Sequence, residues 1–112
     1  MLKVTRHNRL SDTRITLSGS MLCQPFERNI RNVRLVDLAK AAGSELGLKI
    51  QDAGSGGASD ANTTSAMGIP TLDGLGAGGG LAHNPGEFIE LDYVPTRIAL
   101  VAGLIGRIEA NS

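Results

Sequence analysis

The rhythm of apolar and polar positions changes several times along this chain of 112 residues. Leu2 and Val4 alternate with polar neighbours, and so do Ile15 and Leu17, with a polar stretch over 7–12 between them. A period of two predicts two half-buried strands, joined here as a hairpin. Gly19 and Pro25 bracket an irregular link. The period then becomes helical. Leu35, Leu38, Ala39, Ala42 and Leu46 share one face, predicting a helix over 29–46 that Gly47 stops by accepting positive φ. Residues 48–50 read as a short strand. Ser59 and Asp60 are candidate N-caps of a short helix that Gly68 and Pro70 end, and Thr71 and Leu72 read as a buried strand entering a glycine run. A last helix starts near Asp92 with Val94, Ile98, Val101, Ile105 and Ile108 on one face; Pro95 is tolerated there because it lies in the first turn. Strands alternating with helices predict an α/β fold: a small layered domain with two or three central strands flanked by helices, plus an N-terminal β-hairpin.

Composition narrows the function classes. Apolar residues make up 41% of the chain, which suits a folded protein, and the length allows one domain burying roughly 65% of its unfolded surface. No apolar run approaches the ~20 residues of a membrane span, and the opening residues lack the apolar core of a signal peptide. The single cysteine, Cys23, excludes an internal disulfide and a cysteine-built zinc site, so a cytoplasmic setting is expected. The zero net charge conceals a division: residues 1–35 carry seven basic and two acidic side chains, net +5, and residues 36–112 are net −5. The basic arm lacks the aromatic stacking groups of single-strand binders and the motifs of duplex readers, so neither nucleic acid nor membrane is an expected partner.

Ten of the 15 glycines fall in the window 54–86, where backbone shape matters more than side-chain volume. A phosphate-binding loop would need a helix N-terminus after the glycines, but Pro85 and Gly86 stand in that place. It would alternatively need Lys then Ser or Thr, where Leu81-Ala82 stands. A nucleophile elbow fails at Gly57-Ala58-Ser59-Asp60-Ala61, which lacks the second glycine. His83 is the remaining side chain of chemical interest, in a glycine-flanked loop beyond a predicted strand, where α/β sheets place their ligands. One imidazole cannot hold a catalytic metal, which takes about three protein ligands. Asp60, Asp73, Glu87 and Glu90 match no ligand spacing, and His7 lies in a basic, polar turn.

Taken whole, SGGASDANTTSAMGIPTLDGLGAGGGLAHNPGEFIELDYVPTRIALVAGLI is more specific than its pieces. It resembles the C-terminal end of the zinc-dependent amidohydrolases that include glutamate carboxypeptidase, acetylornithine deacetylase, succinyl-diaminopimelate desuccinylase and the aminoacylases. Gly56, Gly57, Ser59, Asp60, Asn62, Gly68, Pro70, Gly74, Gly76, His83, Glu87 and Glu90 stand at the matching positions. Leu17-Ser18-Gly19 and Pro25-Phe26-Glu27-Arg28 resemble that family's passage from its lid domain back into the catalytic domain.

The resemblance implies the C-terminal part of a zinc-peptidase-like catalytic domain, with 1–20 a remnant of lid strands and 21–112 the catalytic segment. It implies that His83 is a ligand to one of two zinc ions in the complete enzyme. It further implies that Gly56, Gly57, Ser59 and Asn62 form a substrate-binding loop for a small amide or peptide. Two departures accompany it. Cys23 and Gln24 stand where the family has an arginine that grips the substrate carboxylate and then a proline, and a thiol cannot replace a guanidinium. The other metal ligands and the catalytic carboxylate belong to the family's N-terminal segment. The expectation is therefore a hydrolase portion that is inactive alone, binds zinc weakly or not at all, and partners a second copy or the missing segment. The alternative is a non-catalytic remnant serving as a self-associating structural or binding module.

Overall fold

Three helices and one two-residue ladder account for the regular structure of residues 12–111, which are the residues the computed structural model describes. α1 runs Ile30–Glu45. Asn29 precedes it in extended conformation, and its side-chain oxygen accepts from the N–H groups of Arg31 and Asn32, both at 3.0 Å. These are two of the amides that a helix start leaves without partners. At the other end the N–H of Leu48 donates to Gly43 O and that of Gly47 to Ser44 O, with Gly47 at φ +71°. Glycine takes this left-handed closing residue without strain, as the sequence predicts.

α2 runs Ala61–Ala66 and closes in the same way. Gly68, at φ +83°, donates to Ser65 O, and Ile69 donates to Thr64 O. Its start corrects one expectation. Asp60 takes helical φ and ψ and makes no side-chain cap, while Ser59 and Asn62 cap reciprocally. The Ser59 Oγ accepts from Ala61 N at 3.2 Å, and Asn62 Oδ1 accepts from Ser59 N at 2.9 Å.

β1 (Gly79–Gly80) pairs antiparallel with β2 (Phe88–Ile89), Gly79 opposite Ile89 and Gly80 opposite Phe88. A 3₁₀ turn over Leu91–Tyr93 then leads into α3, Val94–Ala110, with Pro95 in its first turn.

The strand expectations fare less well. Residues 48–50 and 71–72 are irregular, and these are the positions read as short strands. Leu2 and Val4 lie outside the described residues, while Ile15 and Leu17 form no strand and are about half exposed. A strand exists only through a neighbour's ladder, and none of these segments has one among the described residues.

The core is small. α1 packs against α3, and the buried apolar side chains are Ala39, Ala42, Ala61, Leu100 and Leu104, with Leu100 fully enclosed. Small residues let the helices approach: a Cβ added at Gly103 would sit 3.6 Å from Ala42 Cβ. The buried face of α3 is thus not the predicted one. Ile98 and Ile105 are 64% and 52% exposed, because Leu100 and Leu104 fit the shallow Ala39–Ala42 surface instead.

Much apolar surface is left uncovered. The radius of gyration is 19.9 Å, against about 13 Å for a compact chain of this length. The accessible area is 9170 Å², where a compact monomer of 11.6 kDa exposes about 5,800 Å². The chain therefore buries roughly 45% of its unfolded surface rather than the 65% expected from length. Among the described residues no helix is long and apolar enough to cross a membrane.

Candidate functional site

Four local structures carry the residues singled out by sequence. The first is the loop 54–57, in which Gly56 has open space around it and Gly57 N donates to Ser55 Oγ at 3.2 Å. The second is the start of α2, where Ser59 and Asn62 face one another. Asn62 is 7% exposed, and its amide nitrogen also donates to Gln24 O at 2.8 Å. Folding thus draws the segment containing Cys23 and Gln24 to the beginning of α2, 38 residues away in sequence.

The third structure is a polar joint that sequence reading missed. Asn32 on α1 is 4% exposed. Its side-chain nitrogen donates to Glu27 O at 3.2 Å and to Ser65 Oγ at 3.1 Å, and its oxygen accepts from Thr71 N at 2.9 Å. Thr71 Oγ1 in turn meets Thr64 Oγ1 at 3.1 Å, and Arg31 donates to Gly68 O at 2.9 Å. Every polar atom of the buried amide is satisfied, as burial demands. The joint locks α1, α2 and the start of the glycine-rich stretch in one arrangement. Its signal in the sequence was faint: Asn32 lies three and seven residues before Leu35 and Ala39, a polar side chain on the apolar face.

The fourth is the hairpin that presents His83. Its two strands enclose the loop 81–87, in which Leu81 and His83 adopt positive φ, 59° and 65°. Left-handed backbone costs a non-glycine residue of order 1 kcal/mol, and such strain gathers at functional positions. Local hydrogen bonds sustain it: Asn84 N donates to Leu81 O, Glu87 N to Asn84 O, and Gly86 N to Asn84 Oδ1. The His83 amide faces Glu87 Oε2 at 3.4 Å, whereas its imidazole, on an exposed residue, makes no hydrogen bond with the described residues. Asp73 is used locally, accepting from Gly74 N.

Charge in the remainder of the fold is structural. Asp52 pairs with Lys40 at 2.8 Å and Arg28 at 2.9 Å, fastening the stretch after α1 back onto that helix. Hydrogen bonds from Lys40 and then Arg28 hold its carboxyl well below the ordinary value of 3.8. Glu45 pairs with Arg107 across α1 and α3, and that hydrogen bond lowers its pKa too. An open groove of about 850 Å³ lies between α1 and the segments 49–54 and 71–75, floored by Val33, Val36, Ala39, Ile50, Leu72 and Leu75.

The structure brings Ser59 and Asn62 together with Gln24, and it joins His83 to none of Gly56, Gly57, Ser59 or Asn62 by hydrogen bond or ion pair. Among the described residues no group of three or more His, Cys, Asp or Glu could hold a metal ion. His83 does not make a metal site by itself, since such a site takes about three protein ligands.

Comparison with family models finds a match over residues 11–107 to the family described as peptidase family M20/M25/M40. Comparisons with curated proteins and with solved structures find no match.

Proposed function

The chain belongs to the M20/M25/M40 peptidase family, and from that premise we propose that it serves as the C-terminal portion of a zinc-dependent amidohydrolase acting on an N-acyl amino acid or small peptide. His83 supplies one zinc ligand, and the loop of Gly56, Gly57, Ser59 and Asn62 contacts the substrate. Zinc in such an enzyme activates a water for attack on the amide carbonyl by lowering its pKa and polarising the carbonyl. The observation that carries the reading is His83 itself. It is an exposed residue whose imidazole makes no hydrogen bond with the described residues, held on left-handed backbone at the end of a glycine-built hairpin.

This chain's own residues prepare the site. Gly56 leaves the backbone of the loop approachable, since no Cβ stands in the way of a ligand. The Ser59–Asn62 cap fixes that loop where it enters α2, and Asn32 fixes α2 to the body. The remaining ligands lie outside the described residues, which hold no group of three or more His, Cys, Asp or Glu, so these residues by themselves do not hydrolyse. The uncovered surface supports a partner polypeptide. The excess of about 3,300 Å² over a compact monomer exceeds the roughly 1,000–2,500 Å² that one partner contributes to an obligate interface, so there is ample surface to cover.

The test is hydrolysis of N-acetyl amino acids with added zinc, by the chain alone and mixed with the ligand-bearing N-terminal segment of a family member. Activity in the mixture only, abolished by His83→Ala, is expected. Absence of both complex and activity overturns the proposal. A second reading is favoured by the exposed Leu91, Ile98 and Ile105: a self-associating module without chemistry. It predicts a dimer by light scattering whose mass is indifferent to zinc and to His83→Ala.

A further inference from the structure

The hairpin that carries His83 cannot orient it unaided, because a ladder of two residue pairs is at most marginally stable in water. Something must fasten it to the helical body. One leg is covalent: β2 runs through Glu90 and the 3₁₀ turn into α3, with Glu90 N donating to Gly78 O at 2.9 Å. The other leg is the glycine stretch before β1, which has no helix or strand of its own. There a side chain of α3 intervenes. Arg97, in the first turns of α3, donates from Nε to Gly76 O at 2.7 Å and from Nη2 to Gly74 O at 2.6 Å. The planar guanidinium spans two carbonyls on either side of Leu75, a geometry that a lysine ammonium cannot reproduce.

We propose that Arg97 is the positioning residue of His83, clamping the Gly74–Gly76 turn so that the hairpin projects in one fixed direction from α3. The mechanical route is short. Leu100, fully buried against α1, lies three residues beyond Arg97 on the same face of α3, so the guanidinium is anchored by the core of the fold. Two residues, Ala77 and Gly78, separate Gly76 from β1. Gly74 sits at φ +75°, so the turn that Arg97 grips is one that glycine alone adopts without strain. The functional weight of the clamp rests on the reading of His83 as a zinc ligand; the clamp itself does not.

The experiment uses the full chain, ¹⁵N-labelled, as wild type, Arg97→Met and Arg97→Lys. Amide exchange is followed at Glu90 and in α1, together with the side-chain ¹H and ¹⁵N shifts of His83. In Arg97→Met the Glu90 amide exchanges about ten-fold faster or more, since two charge-assisted hydrogen bonds are lost. The His83 signals move towards random-coil positions, while protection in α1 stays at its wild-type level. Arg97→Lys, which restores one contact, falls between the two. Unchanged Glu90 exchange and His83 shifts in Arg97→Met overturn the proposal, as does acceleration equal to that of α1. In the reconstituted hydrolase Arg97→Met lowers kcat with little change in KM. If His83→Ala leaves that hydrolase active while the exchange results hold, the zinc-ligand reading fails and the clamp stands.

Discussion

Replacing Asn32 by alanine tests whether the polar joint, rather than apolar burial, fastens the site loops to the body. Three hydrogen bonds are lost: to Glu27 O, to Ser65 Oγ and from Thr71 N. The partners do not suffer equally. Glu27 is exposed and regains water at its carbonyl, and the Ser65 hydroxyl can rotate. The Thr71 amide belongs to a half-buried residue and loses its acceptor at the point where α1, α2 and the 71–75 stretch meet. Leaving such a donor unpaired costs about 1–3 kcal/mol, and the other two bonds contribute roughly 0.5–1 kcal/mol together after their partners resolvate. Alanine's better helix propensity returns about 0.5 kcal/mol. The net expectation is a loss of about 2 kcal/mol, a large share of the total stability of a domain of this size. Urea denaturation followed by circular dichroism at 222 nm reads it as a midpoint lower by about 1 M at unchanged slope. Amide exchange at Thr71 accelerates beyond the global change. A loss below about 0.5 kcal/mol with Thr71 protection intact refutes the reasoning, and would mean that Leu100 and the alanines alone set the arrangement.

Other expectations address the hairpin and the surface charges. A Cβ on Gly79 would overlap the carbonyl of Phe88, backbone that cannot yield, so Gly79→Ala breaks the ladder; the Glu90 amide should lose its protection while helical dichroism is unchanged. Leu81→Gly relieves left-handed backbone at a residue 59% exposed, and stability should rise by up to about 0.5 kcal/mol by urea titration, because strain relief slightly exceeds the entropy glycine adds to the unfolded chain. Asp52, whose folded pKa is depressed by Lys40 and Arg28, stabilises the fold above its ordinary value of 3.8, and that contribution fades as pH falls below it. The melting-temperature gap between wild type and Asp52→Asn should hold from pH 7 to about pH 5 and close in stronger acid; a gap constant throughout acid titration contradicts the pairing.

The helices were legible to within two residues, the last starting at Val94 rather than near Asp92. The predicted 29–46 became Ile30–Glu45 between Asn29 and Leu46, and Gly68 ended α2 where expected. A helix satisfies its own backbone and announces its ends by capping chemistry, so local sequence suffices. Strands do not. Residues 48–50 and 71–72 have the apolar character of strands, but a ladder needs a neighbour, and none of the described residues provides one. The face of α3 was misread for a related reason. Ile98, Leu100, Val101, Leu104 and Ile105 spread over about 160° of the helix, so periodicity cannot choose which edge of that broad stripe is buried, and the fit to Ala42 decided. Of the site, His83 and the glycine loop were reached through the resemblance of the chain to its family. Asn32 and Arg97 were not, since their partners are mostly backbone groups, up to 39 residues away in sequence.

By itself, then, the sequence determined the helices, their glycine stops and the family to which the chain belongs, because these depend on neighbours within a few positions or on motif identity. Tertiary structure alone decided which apolar face is buried, which polar side chains fasten the loops, and how much surface stays uncovered. Asn32 precedes Leu35 by three residues, and Arg97 likewise precedes Leu100. Each gains its role only when packing of α1 on α3 turns that shared face inward and brings distant carbonyls and amides within 3 Å or so. Local patterns specify the elements, and the hydrogen bonds that aim them are made only after the elements meet.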